Sequence, residues 1–164
     1  MFQVGQQIVY GMHGVCSIVA LEEKKIDKKI VRYYVLAPLD QPITRYFVPA
    51  ENQAALAKLR QLATKDELNA ILSAPLREDI WVPEENRRKQ YYRELVASVD
   101  LRSMVDMIRY LRLYRRQQLE QGRKFHQCDE NFLRDAQRIL STEISMVMQI
   151  PIAQVKGYLD EVLE

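Results

Sequence analysis

The residues of this sequence best suited to chemistry are arginines concentrated in one segment. Residues 86–125 contain 11 Lys or Arg but only 4 Asp or Glu, an excess of seven positive charges. A guanidinium group is planar, stays charged at cellular pH and can hold a phosphate with two parallel hydrogen bonds. At helical spacing, one side of this segment presents Arg102, Arg109, Arg112 and Arg116. The pattern predicts a phosphate-binding stripe; the alternative is a solvated helix face in which Asp106 pairs with Arg102 or Arg109.

The composition of the whole chain conceals this basic segment. The 164 residues carry 24 Lys or Arg against 22 Asp or Glu, a formal charge of +2 that by itself argues against a nucleic-acid partner. Residues 126–164, however, hold 3 basic and 7 acidic residues, so an acidic tail offsets the basic segment. The local charge keeps nucleic acid among the candidate partners.

Signatures of the common enzyme classes are absent from the sequence. It has no glycine-rich phosphate or dinucleotide loop, no H-E-x-x-H zinc motif and no G-x-S-x-G serine-hydrolase motif. His13 lies in a glycine-flanked turn with no acid or nucleophile beside it, which favours a backbone hydrogen-bonding role. Cys16 lies in an apolar run, which favours packing. We therefore expect a protein that is not an enzyme and that uses no cofactor and no metal.

The cysteines and the apolar runs indicate the compartment. Cys16 and Cys128 are far apart and show no C-x-x-C spacing, which favours free thiols in a reducing compartment. No run reaches the ~18 continuous apolar residues of a membrane-spanning helix, and the first residues do not follow the pattern of a secretion leader. We expect a cytoplasmic protein with no membrane partner.

The first third of the sequence is typical of β structure. Short runs rich in Val, Ile and Tyr alternate with turn-prone clusters and predict four strands, at residues 7–10, 15–21, 30–37 and 43–48. A fifth short strand is predicted at residues 58–62. Strands of this length and spacing favour a small closed barrel, which leaves few strand edges exposed.

From Thr64 onward the apolar spacing becomes helical. Thr64 opens an S/T-x-x-E capping box, and Pro83 followed by two glutamates predicts the first turn of a helix that ends near residue 97. Asp100 and Asp129 are predicted to cap two further helices, and Pro151 to start a last short one.

The fold class that follows is α+β with two domains. A β-barrel domain is predicted at residues 1–62 and an all-α helical bundle at residues 83–164. Residues 63–82 are predicted to supply a helix and a linker between them.

Aromatic residues lie close to the basic segment: Trp81, Tyr91, Tyr92, Tyr110 and Tyr114. A ring beside arginines can stack on an exposed base or wedge between base steps. Tyr92 and Tyr110 suit the core of a helical bundle equally well. For Trp81, the sole tryptophan, packing and nucleic-acid contact stand as equal alternatives.

Short motifs occur in a particular order along both predicted domains. The first domain contains Phe2-x-Val4-Gly5-x-x-Ile8-Val9-Tyr10, His13-Gly14-Val15-x-x-Ile18, Tyr33-Tyr34-Val35-Leu36 and Phe47-Val48-Pro49. The second contains Arg87-Arg88, Ser98-x-Asp100, the helical run 104–111 and Ala136-x-x-Ile139-Leu140-x-x-Glu143-Ile144. This order resembles the CarD and CdnL transcription regulators, whose amino-terminal domain is shared with the polymerase-binding domain of transcription-repair coupling factor.

The resemblance implies a bacterial transcription regulator that is not an enzyme. Its Tudor-like, SH3-like barrel would bind the β subunit of RNA polymerase. Its helical domain would contact promoter DNA at the upstream edge of the bubble and stabilise the open complex without reading sequence. The DNA contacts are expected from Trp81, Arg87, Arg88, Arg109, Arg112 and Arg116.

The partners expected from the resemblance are RNA polymerase and promoter DNA, and the protein is expected to be a monomer. The alternative is a protein-interaction adaptor without DNA contact. In such an adaptor the arginines would meet acidic side chains of a partner protein.

Departures from the family pattern change the assigned residues. The family tryptophan that acts as a wedge lies two residues before the paired arginines, where this sequence has Glu85, so the wedge role passes to Trp81. A turn glycine of the family is missing near Lys28. Some members carry a basic residue directly before Val-Pro, where this sequence has Phe47, so the polymerase contact is assigned to Lys24, Arg45 and Phe47.

Overall fold

The structure, a computed structural model, describes residues 1–77, 79–98 and 100–163. The chain divides into two compact units, Met1–Leu62 (unit 1) and Ala63–Glu164 (unit 2). Unit 1 carries an antiparallel sheet and unit 2 is helical, which confirms the predicted α+β class. Residues 63–82, predicted as a connecting segment, belong to unit 2.

Unit 1 is built on five strands rich in β-branched and aromatic residues, which suit a pleated, half-buried surface. The strands are β1 (Gln7–Tyr10), β2 (Val15–Ile26), β3 (Lys29–Pro38), β4 (Tyr46–Pro49) and β5 (Leu59–Gln61), with the one-turn helix α1 (Gln53–Leu56) before β5. They pair in the order β4-β3-β2-β1-β5. The sheet is open, with β4 and β5 as its edges, so closure into the predicted Tudor-like barrel is not confirmed within residues 1–62.

The buried face of the sheet follows from the two-residue period of its strands. Alternate residues from all five strands form one cluster: Ile8, Cys16, Ile18, Tyr34, Leu36, Val48 and Leu59. Burial raises the pKa of the Cys16 thiol to about 12, and its Sγ lies 3.6 Å from the carbonyl oxygen of Gly14. Cys16 therefore stays protonated at neutral pH and has the packing role that the sequence predicts.

The hairpin of β2 and β3 extends beyond this core. β2 continues to Ile26, past its predicted end at residue 21, and Ile26 pairs with Lys29. The two turn residues, Asp27 and Lys28, have φ values of 48° and 65°. Two successive positive φ angles define a type I′ turn, whose twist matches that of the flanking strands. Residues 21–30 are all exposed, so the end of the hairpin is available for contact with other molecules.

Unit 2 consists of helices α2 (Lys65–Ser73), α3 (Glu85–Ala97), α4 (Leu101–Glu120), α5 (Gln127–Met148) and α6 (Ile152–Val162). The apolar stripe of α4 packs against that of α5, and α6 packs on α5. The most deeply buried side chains include Met107, Ile108, Leu111, Leu133, Leu140 and Ile144. Among the described residues, no helix combines the length and the apolar character that a membrane crossing requires.

Local capping determines where several of these helices begin. The predicted capping box is confirmed, because the Thr64 hydroxyl accepts from Glu67 N while the Glu67 carboxylate accepts from Thr64 N. The predicted cap Asp100 accepts from Ser103 N, and Glu84 caps α3. These side chains satisfy amide groups that lack a partner inside the helix.

The prediction that Asp129 caps a helix is wrong. The cap of α5 is His126, and Asp129 lies inside the first turn with a fully buried side chain. A buried carboxylate needs a charged or hydrogen-bonding partner, and Asp129 finds one on another helix.

Substituting Lys28 by glycine tests the turn. A side chain in the left-handed region costs about 1–2 kcal/mol, and the greater chain entropy of unfolded glycine offsets part of that gain. We expect Lys28→Gly to raise the free energy of unfolding by roughly 0.5–1 kcal/mol in urea denaturation. The matched variant Lys29→Gly places glycine inside β3 and should lower it by a similar amount. A lower stability for Lys28→Gly would contradict the turn geometry.

Candidate functional site

A cation–aromatic cluster of Lys24, Tyr33 and Phe47 lies on unit 1. The Lys24 Nζ is 4.0 Å from the centroid of the Phe47 ring and 5.8 Å from that of Tyr33. The two rings meet edge to face with centroids 6.5 Å apart. Phe47 remains 44% exposed. The cluster therefore offers an apolar surface and a positive charge at one place.

The pairing register of the strands brings these three residues together. β2 supplies Lys24, β3 supplies Tyr33 and β4 supplies Phe47, one from each of three neighbouring strands. Lys24 and Phe47 are in the predicted set and Tyr33 is not. One sequence signal for Tyr33 was available. Tyr33 is next to the core residue Tyr34 in β3, so its side chain lies on the face of the sheet opposite the core.

Arg45, the third predicted residue of this set, is engaged elsewhere. Its guanidinium donates to the carbonyl oxygens of Pro42 and Thr44, at 2.5 and 2.9 Å. These bonds hold a turn in the segment where the sequence predicted the start of a strand at residue 43. β4 accordingly begins at Tyr46, and Ile43 is 94% exposed.

The strand β4 is an open edge of the sheet. It pairs with β3 on one side, through residues such as Phe47 opposite Val35, and with no other strand of unit 1. An unpaired strand edge presents backbone donors and acceptors to which an incoming strand can bond. The cation–aromatic cluster therefore lies beside a site for strand addition.

In unit 2, Arg88 is not on the surface, which corrects its predicted assignment as a DNA contact. Arg88 is 2% exposed, and its Nε and Nη2 donate to the two carboxylate oxygens of Asp129 at 2.7 and 3.2 Å. Its Nη1 donates to the carbonyl oxygens of Val82 and Pro83. The hydroxyl of Tyr92 also donates to Asp129, at 2.6 Å. This network joins α3 to the first turn of α5 and leaves Arg88 unavailable to phosphate.

Trp81 is partly buried against the same network. Its ring lies 4.7 Å from the Tyr114 ring and 5.2 Å from the Tyr110 ring, between centroids. The guanidinium carbon of Arg88 lies 4.5 Å from the Trp81 ring, a cation–π contact. Trp81 would have to leave this stack before it could wedge between bases.

Several arginines of α4 bond to the ends of other helices. Arg109 donates to the carbonyl oxygen of Ala74, the residue that caps the carboxyl end of α2. Arg112 donates to Leu159 O in the last turn of α6 and to the carboxylate of Asp160. Cations suit these positions because the carboxyl-terminal end of a helix carries partial negative charge. Arg109 and Arg112, two members of the predicted phosphate-binding stripe, thus have hydrogen-bond partners within unit 2.

Arg102 follows the same pattern, and it pairs with Asp106 as the alternative predicts, but Asp106 is buried and does not lie on a solvated face. Its Nη2 donates to Pro75 O at 2.8 Å and its Nε to Asp106 Oδ2 at 3.0 Å. Asp106 is fully buried and also accepts from Arg77 Nε, at 2.5 Å. Arg77 was missed by the sequence reasoning because it lies outside the basic segment.

Arg87 and Arg116 are the residues of the predicted DNA-binding set that remain exposed. Arg87 lies in the first turn of α3, next to the buried Arg88, and Arg116 lies in the last turns of α4. Unit 2 therefore keeps a positive surface that is smaller than the sequence pattern indicates. Across the described residues, no group of His, Cys, Asp and Glu is arranged to hold a metal ion.

Comparison with known protein families gives one match for unit 1. Residues 2–61 match the family model of the CarD-like/TRCF RID domain. The resemblance expected from the sequence is thereby confirmed for this unit. The matched domain is a protein-interaction domain and is not a known enzyme.

Removing the Arg88 side chain should destabilise unit 2 strongly. Arg88→Ala leaves the Asp129 carboxylate buried without its charged partner, at an expected cost of about 3–5 kcal/mol in the free energy of unfolding. Urea denaturation followed by Trp81 fluorescence measures this cost, because Trp81 lies on the Arg88 guanidinium. The neighbouring exposed Arg87→Ala is the matched control and should stay within roughly 0.5 kcal/mol of the parent protein. Equal stabilities for the two variants would contradict a structural role for Arg88.

Proposed function

Given that residues 2–61 form a CarD-like/TRCF RID domain, we propose that this protein is a bacterial transcription regulator that binds the β subunit of RNA polymerase and stabilises the open promoter complex. Domains of this family take part in interaction with the polymerase β subunit. The match of unit 1 to that family is the observation that carries the proposal. Unit 2 supplies sequence-independent contacts to DNA at the upstream edge of the bubble, and the protein acts in the cytoplasm as a monomer.

The polymerase contact is made by the β4 edge and the cation–aromatic cluster. A strand of the polymerase adds to β4, and main-chain hydrogen bonds supply part of the affinity. Phe47 and Lys24 flank that edge and provide the side-chain contacts. Half-exposed aromatic residues are frequent energetic centres of protein interfaces. Arg45, held in its turn, contributes charge at the margin.

Substitution of the cluster should weaken polymerase capture. We expect Phe47→Ala to weaken binding of the purified polymerase β subunit by at least about tenfold, since a central aromatic contact is worth on the order of 2 kcal/mol. Lys24→Glu should add to the loss, because it removes the cation above the Phe47 ring. Binding is measured by interferometry with the immobilised full chain.

The control for this experiment is Ile30→Ala, which removes an exposed apolar side chain at the hairpin end of the same sheet. It should bind the β subunit as the parent protein does. Unchanged capture by Phe47→Ala would exclude the cluster as the docking surface, provided that its thermal denaturation matches that of the parent.

The DNA contact rests on the exposed arginines of unit 2. Arg87 and Arg116 carry positive charge where the solvent can reach it, and phosphate contacts of this kind position a protein without reading bases. Trp81 remains the proposed wedge at the fork, which requires it to leave the stack with Tyr110 and Tyr114. Because polymerase brings the protein to the promoter, a modest positive surface is sufficient for its contact with DNA.

One observation favours the adaptor without DNA contact as a second candidate. Arg102, Arg109 and Arg112 all donate to groups within unit 2, so these cations stabilise the fold. A helical unit of this kind could pack on a partner protein and leave DNA untouched.

Salt dependence separates the two candidates. We expect Arg87→Ala and Arg116→Ala each to shorten the lifetime of the polymerase open complex and to lower the slope of log affinity against log salt by roughly 1, one phosphate contact per residue. Arg134→Ala, an exposed arginine of α5 outside the basic segment, is the charge-matched control and should leave both quantities unchanged. Equal slopes for all variants would favour the adaptor.

A further inference from the structure

A groove between α4, α5 and α6 carries chemistry that the proposed function does not use. It encloses about 370 Å³, within the roughly 300–1,000 Å³ range typical of small-molecule sites. Each of the three helices lines it with neighbouring residues: Arg112, Arg115 and Arg116 from α4, Leu133, Gln137 and Ser141 from α5, and Lys156 and Leu159 from α6. We call it the α4–α5–α6 groove.

Every charged residue that lines this groove is basic. Three guanidinium groups and one ammonium group surround it, with the Ser141 hydroxyl and the Gln137 amide as further hydrogen-bond donors. The floor is apolar, since Leu133 and Leu159 are 2% and 3% exposed. An anion in the groove would therefore contact hydrogen-bond donors on several sides and apolar side chains at the floor.

The nearest carboxylates hold two of the cations in place. Asp160 pairs with Arg112, which also donates to Leu159 O, and Glu130 lies 3.5 Å from Arg115. Arg112 keeps only 20% of its side chain exposed. A guanidinium fixed in this way loses little freedom when a ligand arrives, and such preorganisation favours binding.

The cations of α4 that line the groove lie close together along the helix. Arg112 and Arg116 are four residues apart and Arg112 and Arg115 are three apart, so like charges face one another along the helix. Asp160 beside Arg112 and Glu130 beside Arg115 offset the repulsion between these cations.

We propose that the α4–α5–α6 groove binds the terminal phosphate group of a small phosphorylated molecule. A phosphate monoester or a diphosphate carries close to two negative charges and several acceptor oxygens, which suits the forked arginines, the lysine and the hydroxyl together. A DNA phosphodiester carries only one negative charge and continues on both sides, so it matches a short groove lined by four cations less well than a terminal phosphate does. Because Arg116 belongs also to the proposed DNA contact, ligand in the groove would compete with DNA at that residue.

Titration of the free, full-length protein with inorganic pyrophosphate tests the groove, with amide signals observed by NMR at constant ionic strength. We expect saturable shifts of Ser141, Gln137 and Lys156. Lys156→Gln and Arg116→Gln should each weaken the affinity by about tenfold. Both residues are exposed, so these variants should fold, which thermal denaturation verifies. Arg123→Gln, an exposed arginine outside the groove lining, is the matched control and should bind as the parent does.

A second arm uses a short DNA duplex in place of pyrophosphate. Tighter binding of pyrophosphate than of duplex at the Ser141 and Gln137 signals supports the proposal. Shifts that fail to saturate, an affinity unaffected by Lys156→Gln, or tighter binding of the duplex at these signals would overturn it. Because no polymerase is present, the outcome does not depend on the proposed transcription function.

Discussion

The ion pair between Arg88 and Asp129 is the interaction on which the second unit depends. It is fully enclosed, and its two charges are satisfied by a fork-to-fork contact, the Tyr92 hydroxyl and two backbone carbonyl oxygens. A buried charge is tolerated only with such complete pairing. The pair fixes the start of α3 against the start of α5, and Trp81 packs on the outer face of the guanidinium. The entry into the helical unit and its main aromatic stack are thus positioned by a single contact.

Three arginines of α4 follow a common rule. Arg102, Arg109 and Arg112 project from α4 toward the carboxyl-terminal ends of α2 and α6, where they donate to the carbonyl oxygens of Pro75, Ala74 and Leu159. Each places a positive charge at the negative end of a helix dipole. Three of the eleven basic residues of this segment therefore connect α4 to the carboxyl-terminal ends of neighbouring helices. Of the predicted DNA contacts, Arg87 and Arg116 remain exposed, and Arg116 also lines the α4–α5–α6 groove.

Much of the local structure could be predicted from the sequence because its signals are local. The capping box at Thr64, the cap at Asp100 and most strands depend on residues close together in the chain. Asp129 shows the limit of such signals: an acid before an apolar run looks the same whether it caps a helix or accepts a buried arginine forty-one residues away. The sequence places the arginine stripe on one side of α4, but the groups that these arginines contact depend on how α2 and α6 pack against α4. Likewise the meeting of Lys24 with Tyr33 and Phe47 depends on the register between strands, and closure of the sheet depends on its curvature. Neither is recorded in the spacing of apolar residues.

The shortness of β4 has a consequence for how long a complex at this edge lasts. The strand has four residues and ends at Pro49, which has no amide hydrogen to donate. An incoming strand can therefore form only a few main-chain bonds, and two copies of the protein gain little by joining edge to edge. Main-chain bonding alone would give a complex that dissociates rapidly, so its residence time is governed by the side chains beside the edge. Small changes at Phe47 or Lys24 would then alter the dissociation rate far more than the association rate, and the turnover of the protein on its partner would be adjustable without any change in the fold.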